Sequence, residues 1–203
     1  MELQHALAQI ADIRQQMSRA RHFRGFRAAT ALLTAFAAGA AGAWQALQMG
    51  DLTSHPISFV TFWVCIAVAC LLVCTVEVAW RYRKADSSLQ QELTPQAVGQ
   101  FLPFVFVGAL LTFTLCKFAA AELWMLPGLW QIVFSLGIFA SRRFLPRPIV
   151  STGVWYLMTG LLGVGLAGTR ALSPWAMAIP FGVGQLLVAG ILFFCAKESG
   201  DEA

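Results

Sequence analysis

The sequence predicts an all-α polytopic membrane protein, six transmembrane helices preceded by an amphipathic helix, and three observations carry that prediction. Of 203 residues, 58% are hydrophobic and 12% charged, against about 25% charged in an ordinary soluble domain. Six apolar runs approach or exceed the roughly 20 residues that cross about 30 Å of hydrocarbon at 1.5 Å per residue. None shows the period-two alternation of a barrel strand, so each reads as a helix.

The first 24 residues come before any such run. Leu3, Ala6, Ile10, Ile13, Met17 and Ala20 recur at three- and four-residue spacing, which lines them along one helical stripe. The run is periodic rather than continuous, unlike the core of a signal peptide, so this segment is expected to remain as an amphipathic cytoplasmic or interfacial helix. Arg14, Arg19, Arg21 and Arg24 beside the stripe favour the inner membrane interface. Leu3, Ile10, Ile13 and Met17 equally suit pairing with a second copy or a partner protein, although a coiled coil this short is weak alone.

The membrane domain covers 25–197, with a short tail at 198–203. Its spans are expected at about 28–47, 57–80, 98–118, 123–140, 149–169 and 174–196. Gly50-Asp51 and Ser54-His55-Pro56 break the chain after the first span. Thr94-Pro95 reads as an N-cap followed by a first-turn proline, so the third helix is expected to start near Pro95. The polar stretch between Arg81 and Thr94 reads as a cytoplasmic loop with at most a short turn at Leu89 to Leu93.

Orientation follows the basic residues, which gather in short cytoplasmic loops. Five precede the first span, three follow the second, three (Arg142, Arg143, Arg147) follow the fourth, and Lys197 follows the sixth, which makes 12 of the 14. An even number of spans with both termini cytoplasmic puts all of these on one side and leaves Lys117 and Arg170 for the other. Trp44, Trp124 and Trp175 then mark the outer interface, and Trp80 and Tyr82 the inner one. The formal charge of +4 is explained by arginines that fix topology and meet anionic lipid, and calls for no nucleic acid.

The residues offer little chemistry. Cys65, Cys70, Cys74, Cys116 and Cys195 all fall inside predicted spans without metal-ligand spacing, and His5, His22 and His55 lie outside them, so neither a metal nor a bilayer haem is expected. No nucleophile elbow, zincin, phosphate-loop or dinucleotide motif is present, and no catalytic residue is assigned.

Polar groups inside spans are costly and so become the candidate site. Glu77 sits near the inner end of the second span, with Arg81 one turn later as a possible partner. Gln131 and Gln185 are expected at similar depth in the fourth and sixth spans, each within a run of Trp, Met, Pro, Gly and Gln. That likeness suggests parallel repeats around a midplane site, with Pro127 and Pro180 freeing carbonyls toward a cavity. The bland alternative is that each glutamine hydrogen-bonds a neighbouring helix. Ala35, Gly39 and Ala43, together with Gly153, Gly160, Gly163, Gly165 and Gly168, predict close helix contacts, within one chain or between copies.

The run from Leu123 to Trp130, Leu-Trp-Met-Leu-Pro-Gly-Leu-Trp, continued by Phe134 to Arg143, resembles a group of bacterial inner-membrane proteins of about this length with no assigned activity. The opening Ala8-Gln9-Ile10-Ala11-Asp12-Ile13-Arg14 is similar to theirs as well. The resemblance implies the topology and adds no mechanism. Three functions stay open: a non-enzymatic scaffold or regulatory subunit working through its N-terminal stripe, a small-solute transporter or channel using Gln131 and Gln185, and a membrane enzyme acting on lipid or quinone with Glu77 as its acid or base.

Overall fold

The computed structural model describes residues 28–48, 55–83, 88–166 and 172–201; the predicted amphipathic segment with Leu3, Ile10, Ile13 and Met17 lies outside them. The described residues form α1 (Ala28–Gln48), α2 (Pro56–Arg83), α3 (Ser88–Phe118), α4 (Leu126–Ser141), α5 (Ile149–Leu166) and α6 (Pro174–Asp201), with 3-10 turns at Ala120–Met125 and Arg142–Phe144. No strand occurs among them. Five stretches are long and apolar enough to cross a membrane: Ala28–Gln48, Pro56–Trp80, Val98–Phe118, Ala120–Ser141 and Pro174–Cys195. The sixth helix, α5, is apolar and 18 residues long as described, about 27 Å. The chain is a helical membrane protein.

Successive helices run antiparallel wherever side chains tie them. Gln45 meets Trp63 across α1 and α2, Thr112 meets Trp130 across α3 and α4, and Trp155 meets Pro180 across α5 and α6. α6 returns to α1: Gly42 lies against Ala178 and Pro174, and Gly182 faces the Ala35 carbonyl. Lipid tails give helices no hydrophobic reason to associate, so close packing of small residues has to hold them. Ala31, Ala35, Ala38, Ala41 and Gly42 form the buried face of α1 accordingly. Of the expected ridge of Ala35, Gly39 and Ala43, Ala35 is buried, whereas Gly39 is exposed with nothing within 4 Å of an added Cβ and so makes no close helix contact within the chain. The stripe that recurs from Ala31 through Ala35 and Ala38 turns away from it.

The glycines of α5 serve α4. A Cβ on Gly160 would stand 2.8 Å from the Gly128 carbonyl oxygen, Gly163 lies against the Gly128 backbone, and Gly153 receives the Phe139 ring. Gly165 meets nothing within 4 Å, and Gly168 lies outside the described residues. In contrast, α2 and α3 keep broad apolar faces exposed, including Leu72, Val76, Leu102, Phe106 and Phe113. The exposed hydroxyls of Thr61, Thr75 and Thr114 donate to carbonyls four residues back at 2.9, 2.7 and 2.8 Å, as a hydroxyl facing hydrocarbon must.

Two helix starts differ from expectation. α3 begins at Ser88 and contains Pro95, rather than starting there. A proline removes one helical bond, here to the carbonyl of residue 91, and a helix continuous on both sides bears that loss. α4 begins at Leu126 with Pro127 in its first turn, where the missing N–H would have had no helical partner. Pro127 therefore neither kinks the helix nor frees a carbonyl.

Candidate functional site

The buried polar side chains are the groups around which a site would be built, and Gln131 is the central one. It lies in the second turn of α4, 2% exposed. The tight Gly128 and Gly160 crossing draws α4 and α5 together beside it, with a Cβ on Gly160 falling 3.1 Å from the Gln131 Cβ. Its Nε2 donates to the Ala176 carbonyl of α6 at 3.1 Å. Its Oε1 is buried without a partner among the described residues.

Gln185 belongs to another level of the bundle. It stands nine residues beyond Ala176 on α6, about 13 Å of helical rise, half-buried beside the Tyr156 hydroxyl. The two glutamines were expected at one depth, and the helices explain why they are not: α4 starts five residues before its glutamine and α6 eleven before its own. The similar runs also place their prolines differently, Pro127 at a helix start and Pro180 inside one.

Around Tyr156 the bundle interior is aromatic and full. Its ring is fully buried, 4.9 Å from Phe134 and 5.2 Å from Phe181 between centroids, and Gly184 leaves the space that it fills. Such tilted and edge-on pairs suit the ring quadrupoles. The Tyr156 hydroxyl points to the Phe181 carbonyl at 3.5 Å, and the Trp155 indole donates to the Pro180 carbonyl at 3.0 Å. Ser135 donates to its own helix at Ile132, whereas the Thr152 hydroxyl is buried without a partner among the described residues.

Glu77 lies at the opposite end of the bundle from Gln131. It accepts a hydrogen bond from the Thr30 hydroxyl of α1. Thr30 lies twelve residues from Gly42, the residue that packs at the Ala178 level near Gln131; this is about 18 Å along the axis. The three candidate residues Glu77, Gln131 and Gln185 thus occupy three places, each against a different helix. A carboxylate at one end and two amides elsewhere supply no shared acid, base and nucleophile.

No protein-family model matches this chain. No curated protein and no solved structure matches it either. The site is therefore read from its own geometry. Among the described residues no group of three His, Cys, Asp or Glu side chains gathers as a metal ion would require, and no disulfide joins the five cysteines, Cys65 exposed and the others half-buried.

Sequence reasoning missed Gln45. This residue is fully buried, accepts from the Trp63 indole N–H at 2.8 Å, and has no partner for its Nε2 among the described residues. The signal was available, because Gln45 continues the Ala31, Ala35, Ala38, Ala41 stripe at helical spacing.

Proposed function

We propose that this chain is a non-enzymatic subunit, a scaffold or regulatory partner, of a membrane complex, with six spans and both termini on the cytoplasmic side of a bacterial inner membrane. One observation carries the reading: Gln45, Glu77 and Gln131 each tie one helix to another and do not converge on a common site. Gln131 holds α6, Glu77 holds α1, Gln45 holds Trp63. The wide apolar faces of α2 and α3 are available to lipid or to another membrane protein. The basic residues at both ends of the chain and in alternate loops support the topology, and the Leu3, Ile10, Ile13, Met17 stripe is the proposed contact for the partner, whether a second protein or another copy.

The test is recovery of the C-terminally tagged chain from its own membranes in mild detergent, with native mass determination, beside a form lacking residues 2–20. A stoichiometric second protein lost from the truncated form is the expected result. A homogeneous homo-oligomer, unchanged by the truncation, overturns the subunit reading.

A second reading, a small-solute transporter, draws on the Gln131 Oε1 and Thr152 Oγ1, which are buried acceptors without partners among the described residues. It requires Gln131→Leu combined with Gln185→Leu to abolish solute flux into proteoliposomes; wild-type flux in that variant removes it.

A further inference from the structure

Pro180 sits inside α6. Having no N–H, it deprives the carbonyl four residues back, that of Ala176, of its helical donor, and within hydrocarbon no water replaces it. The Gln131 Nε2 is the group that donates to this carbonyl, at 3.1 Å. A donor missing from the backbone of α6 is thus supplied by a side chain of α4.

On the other side of the proline the partners come from α5. Trp155 donates to the Pro180 carbonyl at 3.0 Å and the Tyr156 hydroxyl approaches that of Phe181 at 3.5 Å. Gly182 and Gly184 follow within one turn, where glycine stiffens a helix least. Two arms result: an arm of residues 174–179 tied by its hydrogen bond to α4, and the rest of α6 tied by its own to α5, while α1 packs along both through Gly42 and Ala35. Trp175 and Ile179 on the first arm are exposed, so no helix among the described residues covers that face.

We propose that α6 is hinged at Pro180 and that Gln131 is its latch, so that rotation of one amide releases the arm of residues 174–179 from α4. The latched state satisfies only half of the amide, because the Gln131 Oε1 has no partner among the described residues although the residue is 2% exposed. An amide held at one end in a dry interior is poised rather than locked.

The latch exists because of the proline, and this makes it testable on the full chain in nanodiscs. Gln131→Met keeps the bulk and removes the donor; Pro180→Ala restores an N–H to α6. Hydrogen exchange at amides 177–179 and 181–183 is expected to rise at least tenfold in Gln131→Met, with amides 188–195 unchanged, and to return to within twofold of its parent when Gln131→Met is made in the Pro180→Ala background. An equal rise in both backgrounds, or a rise spread evenly along α6, overturns the proposal. Should Gln131→Met fail to accumulate, Pro180→Ala is expected to rescue its yield, and a double variant that also fails overturns it.

Discussion

The backbones of Gly128 and Gly160 touch: a Cβ on Gly128 would stand 2.7 Å from the Gly160 carbonyl oxygen and 3.0 Å from the Val164 backbone nitrogen. Backbone atoms cannot swing aside as a side-chain end can, so a larger residue must push α4 and α5 apart. Gly128→Val or Gly160→Val is expected to destabilise by the 1 to 3 kcal/mol that is roughly typical of overpacking, measured as a lower melting temperature in detergent. Gly39→Ala and Gly165→Ala, with nothing within 4 Å, should melt like the parent. Equal losses at all four positions would contradict the packing described.

The bond from Trp63 to Gln45 is the second tie amenable to test. Trp63→Phe strands the Gln45 Oε1 beside an Nε2 already without a partner among the described residues. Gln45→Leu removes both polar atoms at once. A double-mutant cycle on the two should give a coupling near 0.6 kcal/mol and no more than about 1.7, the range of hydrogen bonds between membrane helices. Gln45→Leu strands the Trp63 indole N–H but also removes the unpartnered Nε2, whereas Trp63→Phe leaves both ends of a buried amide unsatisfied, so Gln45→Leu should be the less harmful; the reverse order in thermal melts would show that the amide has further partners.

How far the sequence revealed this arrangement depends on which kind of information a residue carries. Helices are legible because a run of 20 apolar residues has few other uses, and the described residues form six, with five stretches long and apolar enough to cross a membrane. Which face of a helix is buried is not legible when every face is apolar: Gly39 and Ala31 are both small residues of one helix, and packing alone covers Ala31 and leaves Gly39 exposed. Gln131 could be identified as costly from its place in a span, but its depth relative to Gln185 depended on α4 starting at Leu126 after a 3-10 turn. Pro127 and Pro180 look alike in sequence and differ only in distance from a helix start, which moves one from harmless to consequential.

The Thr30 hydroxyl donates to Glu77 across α1 and α2. Glu77→Gln keeps an acceptor and should retain the pairing, whereas Glu77→Leu strands the half-buried Thr30 hydroxyl. Glu77→Leu should therefore lower stability by at least the roughly 0.5 to 1.5 kcal/mol of a lost hydrogen bond. Equal melting of Glu77→Gln and Glu77→Leu, in purified protein, would show that the acceptor contributes nothing.

Topology gives the last prediction, and α5 is where it is decided. Ile149–Leu166 has 18 residues, about 27 Å against roughly 30 Å of hydrocarbon, and shortfalls of this size are met by local thinning at a modest cost. Reporter fusions after residues 146 and 170 should therefore fall on opposite sides of the membrane, cytoplasmic and external, with those after 86 and 203 cytoplasmic and those after 52 and 120 external. Were α5 not to cross, residues 146 and 170 would report the same side and Lys197 would end outside, against the bias that places Arg142 and Arg147 within. Moving that bias tests its cause: replacing Arg142, Arg143 and Arg147 with glutamine should weaken the cytoplasmic signal at residue 146 while leaving the signal at residue 86, which is fixed by Arg81, Arg83 and Lys84, unchanged.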